Sequence, residues 1–143
     1  MNISWKMYGF KMINTIEQFG RNAGRLWEAL NSQGPLTESQ LMEFTSLRSY
    51  ELYVAVGWLA RENKICKDGS LYKLDETNLI FEIGFDACKI LDVLNSQGEV
   101  NMLHISKATN MEKRNTYSAL GWLARENKIQ INALEEDHNQ MNF

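Results

Sequence analysis

The chain has 143 residues, 44% hydrophobic and 23% charged, with nine glycines and one proline, which suits one compact domain or two very small ones and excludes disordered and fibrous classes. Eighteen acidic against fifteen basic residues leave a formal charge of −3, so the molecule as a whole lacks the footprint of a polybasic nucleic-acid binder and any DNA contact must come from a local patch. Two cysteines make no disulfide framework, no Cys/His cluster offers a zinc site, residues 1–12 fail as a signal peptide, and no window reaches the roughly 18 apolar residues of a membrane span, so the expected setting is a reducing cytoplasm without membrane contact.

Met12 reads as a native start, which makes residues 1–11 an N-terminal extension. A first helix is expected from Thr15 to Asn31, with Ile16, Phe19, Ala23, Leu26 and Leu30 at helical spacing, a Thr15-x-x-Gln18 capping box at its start and Gly34 as its stop. Leu36 adds a short extended pairing, and Thr37-x-x-Gln40 caps a second helix through Leu41 and Phe44. After a turn at Thr45-Ser46-Leu47 a third helix runs to Asn63, a residue type that tolerates the left-handed conformation of a helix C-terminus. Ile65-Cys66-Lys67 and Leu71 to Leu74 flank Asp68-Gly69-Ser70, which is hairpin chemistry and a candidate wing.

The pattern then repeats. Leu30 to Gly34 recurs as Leu94 to Gly98, and Gly57 to Ile65 as Gly121 to Ile129, both at an offset of 64; residues 19–65 laid on 83–129 without a gap share 19 of 47 positions. A 64-residue period exceeds solenoid repeats of about 20–50 residues, so each copy is expected to be a small module in its own right. In the second copy a helix from Ile80 to Asn95 carries Ile83, Ala87, Ile90 and Leu94, Gly98 closes it, Asn101 caps the next helix and Thr109-Asn110-Met111 makes the turn. The third helix again ends at an asparagine, Asn127, but after Ile129-Gln130-Ile131 the sequence lacks a turn and a return strand, so this wing is expected to be truncated. Three helices, a tight turn and a terminal hairpin make a mainly α fold with small β-hairpin wings: two tandem winged helix-turn-helix modules at residues 12–76 and 77–134, followed by a polar tail at 135–143.

Asn22-Ala23-Gly24 in the first helix and the Gly57 to Glu62 run in the third resemble a winged-helix family of unknown function found in bacteria and archaea. The second copy departs at Asp86-Ala87-Cys88 but matches fully at Gly121 to Glu126, and the likeness covers most of residues 12–131. What the resemblance implies is the winged-helix fold and a DNA-binding role, with no known operator or ligand.

On a helical wheel Tyr117, Leu120, Leu123 and Ala124, and in the first copy Tyr53, Val56, Leu59 and Ala60, close each module's own core. The opposite side of the second copy's third helix carries Arg114, Asn115, Ser118, Trp122 and Arg125, side chains suited to major-groove contact. The matching stripe of the first copy, Tyr50, Glu51, Val54, Trp58 and Arg61, is more apolar and carries a carboxylate that phosphates repel. Residues 43–67 have a local charge of +1 and residues 107–128 of +3, so the second copy is the better DNA candidate, with Lys113 beside its stripe, while Lys64, Lys67 and Lys73 make the first wing basic. Trp58 and Trp122, each after a glycine that lets another backbone come close, point away from their own cores and call for a partner: the other module, a second chain, or their own wing or first helix.

No acid–base set assembles from His104 and His138, Cys88 reads as a small core residue and Cys66 as a more exposed one, and no Gly-rich phosphate loop is present, so neither an enzyme nor a cofactor, metal or small-molecule site is expected. Two functions remain, along with their merger, in which the first copy builds a dimer and the second binds DNA. One is a transcription-regulator-like protein that binds double-stranded DNA through Arg114, Asn115, Ser118, Arg125, Lys113 and the lysines of the first wing. The other is a protein-interaction or oligomerisation module anchored by Tyr50, Val54, Trp58 and Trp122.

Overall fold

The computed structural model describes residues 5–7, as backbone, and residues 15–131. The remainder of the expected N-terminal extension, the end of the expected second module after Ile131, and the polar tail at 135–143 lie outside the described residues. In chain order the elements are β1 (Trp5–Met7), α1 (Thr15–Gln33), β2 (Leu36–Thr37), α2 (Glu38–Thr45), α3 (Ser49–Arg61), β3 (Ile65–Asp68), β4 (Leu71–Leu74), α4 (Ile80–Gln97), α5 (Met102–Thr109), α6 (Lys113–Arg125) and β5 (Ile129–Ile131).

The termini of these helices follow the local chemistry of the sequence. Gly34 and Gly98 adopt φ of +82° and +79°, a region open to glycine, and their N–H groups return to Leu30 and Leu94 carbonyls at 2.9 and 2.8 Å, closing α1 and α4. Thr37 forms the expected box: its Oγ1 accepts from the Gln40 N–H at 3.2 Å while the Gln40 side chain accepts from the Thr37 N–H at 2.9 Å. The Gln18 amide donates to Asn22 Oδ1 at 3.0 Å, a bond between successive turns of α1. Asn101 Oδ1 accepts the His104 N–H at 2.8 Å at the start of α5. Asn63 and Asn127, at φ of +61° and +58°, end α3 and α6 in the left-handed conformation.

β2, β4 and β3 form an antiparallel sheet in that order, Leu36 opposite Tyr72 and Ile65 opposite Leu74, so the first module has a complete wing. In the second module β5 pairs instead in parallel with β1, Trp5 opposite Ile129 and Met7 opposite Ile131. The N-terminal segment thus supplies a strand neighbour to β5, and whether the second wing is truncated as expected falls outside the described residues.

The helical stripes read from the sequence are buried as expected at Leu26, Leu30, Leu41, Leu59, Ile90, Leu94, Tyr117, Leu120 and Leu123. Two cores form, and each borrows from the other module. Phe19 of α1 packs in the second module's core, and its counterpart 64 residues on, Ile83 of α4, packs in the first module's core. Three expectations are corrected. Tyr53 is only half-buried, whereas the equivalent Tyr117 is fully buried. Cys88 is exposed and Cys66 half-buried, because Cys88 sits on the outward face of α4 rather than on the stripe of Ile83, Ala87 and Ile90.

Replacing Asn101 by alanine leaves the first-turn N–H of His104 without its acceptor and is expected to lower stability by about 1 kcal/mol, read as a lower denaturation midpoint at unchanged slope.

Candidate functional site: the crossing of the two third helices

The stripes that point away from their own cores in α3 and α6 point at each other. The two helices make the most extensive contact between any elements of the fold. They approach through glycine. A Cβ placed on Gly57 would lie 1.8 Å from the Ser118 carbonyl oxygen, and one on Gly121 would lie 1.9 Å from the Val54 carbonyl oxygen. At this separation a glycine Cα–H meets a carbonyl oxygen of the facing helix, the contact that recurs at close helix crossings. Val54 and Ser118 occupy equivalent positions of the two copies, as do Gly57 and Gly121, so the crossing has a pseudo-twofold axis.

Around this axis the remaining stripe residues fall into matched pairs. Trp58 lies across Gly20 of α1, where an added Cβ would be 3.3 Å from the indole, and Trp122 lies across Gly84 of α4 at 3.6 Å. Each indole packs against both cores. Arg61 Nε binds Glu126 Oε2 at 2.9 Å and Arg125 Nε binds Glu62 Oε2 at 2.8 Å, and each arginine also lies over the opposite module's tryptophan, Arg61 at 5.7 Å from the Trp122 ring and Arg125 at 5.9 Å from Trp58. These pairs are half-exposed, and ion pairs of that kind add at most about 1 kcal/mol each. Their larger effect is to neutralise the arginines.

At the two ends of the crossing the copies have diverged. At one end the Tyr50 and Tyr117 rings meet at 5.5 Å, tilted by 47°, both buried, in the same core cluster as Met102. At the other the equivalents are Arg114, Tyr53 and Glu38: Arg114 lies over the Tyr53 ring at 5.3 Å and binds Glu38 at 3.3 Å. Burial, reinforced by a hydrogen bond to Glu38, holds the Tyr53 hydroxyl above the usual phenol range. The polar end opens into a cleft of about 230 Å³ lined by Lys67 and Tyr72 of the wing, Glu82, Ile83 and Asp86 of α4, and Glu112, Arg114, Asn115 and Ser118 at the start of α6. Burial raises Asp86 above the ordinary carboxylate range, opposed by Lys89 at 3.7 Å, and pushes the Tyr72 phenol up to about 12.

The residues singled out from the sequence therefore have these surroundings. Tyr50, Val54, Trp58 and Trp122 lie in the crossing. Ser118 is 7% exposed, with its backbone under Gly57, and Arg125 is held by Glu62 and Trp58. Arg114, Asn115, Ser118 and Lys67 do come together, but in the cleft and among three carboxylates. Lys113 is half-buried at the first turn of α6. Of the other wing lysines, Lys64 binds Glu62 at 3.5 Å and Lys73 approaches Asp68 at 3.9 Å, while Lys67 lies over the Tyr72 ring at 5.7 Å. The residues that sequence reasoning missed are Glu38, Glu62 and Glu126, and the signal was available, since Arg61-Glu62 and Arg125-Glu126 are the same dipeptide in both copies and fit a reciprocal exchange. Among the described residues no group of three or more His, Cys, Asp or Glu side chains is placed to hold a metal ion, and no helix is long and apolar enough to cross a membrane.

The model of a winged helix-turn-helix domain family, DUF2582, matches the chain twice, at residues 12–81 and 74–141. No curated protein and no solved structure matches it.

Alanine at Gly121 would force backbone from backbone and is expected to cost about 3 kcal/mol, the upper part of the range for overpacking, whereas alanine at Gly24, where nothing lies within 4 Å of the added Cβ, is expected to stabilise by about 0.5–1 kcal/mol through helix propensity; denaturation of both variants checks the contrast. A second test is alkaline titration. Tyr72 has a folded-state pKa above its unfolded value of 10, so its contribution to stability is complete below pH 10 and is lost as pH rises toward 12; the thermal midpoint is expected to fall over that window, less so in Tyr72→Phe.

Proposed function

The chain belongs to the winged helix-turn-helix domain family DUF2582, and within that typically DNA-binding fold we propose that it is a protein-interaction module, a dimer of winged helices fused into one chain. The observation that carries this reading is the glycine-mediated crossing of α3 and α6. A helix-turn-helix protein reads bases with the exposed side of this helix laid in the major groove. Here the middle of that side is covered by its own duplicate, with Val54 and Ser118 at 1% and 7% exposure and the arginines Arg61 and Arg125 bound to carboxylates, while Arg114 and Asn115 at the start of α6 stay exposed. Phosphate binding would have to displace those carboxylates, and the formal charge of −3 gives no long-range attraction in return.

The alternative, duplex recognition by the start of α6 together with the first wing, keeps one observation in its favour: Lys67, Arg114, Asn115 and Ser118 share a cleft. Glu82, Asp86 and Glu112 line the same cleft and Glu38 already holds Arg114, which favours the interaction reading over this one.

Fluorescence anisotropy of labelled mixed-sequence duplexes at about 50 mM salt is expected to show no saturable binding by the full chain. Binding whose affinity falls steeply with salt, as release of about four to six counterions requires, and which Arg114→Ala weakens, would establish the alternative.

A further inference from the structure

Helix α4 carries an apolar face that nothing in the described chain covers. Phe81 is 90% exposed and Phe85 65%, one turn apart on the same side, with exposed Cys88 completing the row. The internal duplication supplies the control: the equivalent positions of α1 are Glu17, Arg21 and Gly24, and Arg21 binds Glu17 at 2.8 Å. A salt-bridged face in one copy is a phenylalanine face in the other. From the usual 150–250 Å² of an aromatic side chain, the two rings expose roughly 300 Å² per chain, the size at which an apolar patch on a monomer is often functional.

We propose that this face is a homodimer interface, α4 packing antiparallel on α4 of a second copy about a twofold axis through Phe85. The self-complementarity of the face selects this occupant. At 100° per residue, Phe81 and Lys89 lie about 40° to either side of Phe85 and one turn away in opposite directions along the helix. A dyad perpendicular to α4 at Phe85 therefore sets Phe85 on itself and Phe81 of each chain against Lys89 of the other. Lys89 already lies over its own Phe85 ring at 4.9 Å, so it is placed to bridge the Phe85 of its own chain and the Phe81 of the second copy, a cation–π contact made twice. An anionic lipid surface fits less well, because exposed Asp92 lies on the same face and Lys89, the α4 cation, is already paired with Asp86 at 3.7 Å. Two copies cover roughly 600 Å² through the phenylalanines, well below the standard 1,600 Å² interface, so the dimer is weak and concentration-dependent.

The inference rests on the interaction-module reading and names the partner. Its test reads mass rather than DNA binding, so the two fail separately. Sedimentation velocity of the full chain from about 5 to 500 μM is expected to show a monomer–dimer equilibrium, which Phe85→Glu weakens at least about tenfold, since the substitution enters twice at the axis. The substituted side chain is on the surface, so the circular dichroism spectrum and thermal midpoint are expected to stay near those of the parent. In a Cys66→Ser, Cys88→Ser background, Phe85→Cys is expected to form a disulfide-linked dimer on mild oxidation, as a residue on the axis must. A chain that stays monomeric to 500 μM, a dimer that survives Phe85→Glu, or Phe85-dependent binding of the monomer to anionic vesicles would each overturn the proposal.

Discussion

The carbonyl oxygens of Val54 and Ser118 occupy the space where any residue but glycine at 121 and 57 would put its Cβ. This mutual exclusion sets the distance between α3 and α6, and that distance governs every other contact of the crossing. Only at such close approach can Arg61 reach Glu126, Arg125 reach Glu62, and each indole touch both cores. The ion pairs and cation–π contacts are half-exposed and modest in energy. They act as register marks on a crossing that buries closely fitted apolar surface.

The crossing also explains why the two modules do not behave as beads on a string. Phe19 and Ile83 are exchanged between cores, so neither three-helix unit completes its own interior. A 64-residue unit buries only about 60% of the surface its unfolded chain exposes, less than a larger domain does, and is marginal alone. Sharing a core lets two such units reach the burial of a domain twice the size. β1 serves the same end at the edge of the second module, where β5 takes a parallel neighbour from the other end of the chain.

Much of this architecture is legible in the sequence. The duplication, the six helices, their asparagine and glycine termini and the first wing obey local rules, because capping, left-handed closure and hairpin turns depend on residues within a few positions of each other. The wheel also separates the inward from the outward side of the third helices. What it does not supply is the occupant of the outward side, since a polar stripe facing solvent, phosphate or a second helix has the same periodicity. Tyr53 and Tyr117 show the limit most plainly. They are one residue type at equivalent positions, yet one is half-buried and the other fully buried, because the residue that meets each across the crossing is Arg114 in one case and Tyr50 in the other. No local pattern encodes that difference. Phe81 and Phe85 escape a sequence reading for a related reason: apolar residues in a helical segment read as core until they are set beside Glu17 and Arg21.

A homodimer has to place identical residues at both ends of its twofold axis, and a fused one is released from that constraint. Here the release has been used. One end of the α3–α6 crossing is closed by Tyr50, Tyr117 and Met102, while the other has become Arg114, Tyr53 and Glu38 and opens as a cleft of about 230 Å³. The outer helices have diverged in the same way, α1 carrying an ion pair where α4 carries two phenylalanines. Residues at the centre, Gly57, Trp58, Arg61 and Glu62 with their counterparts, stay identical between copies because each is constrained by the other module's backbone or charge. Val54 and Ser118, which meet the facing glycines through backbone atoms, differ between the copies, so the crossing constrains those positions whose side chains or missing side chains it uses and leaves the outward surfaces free to acquire separate roles.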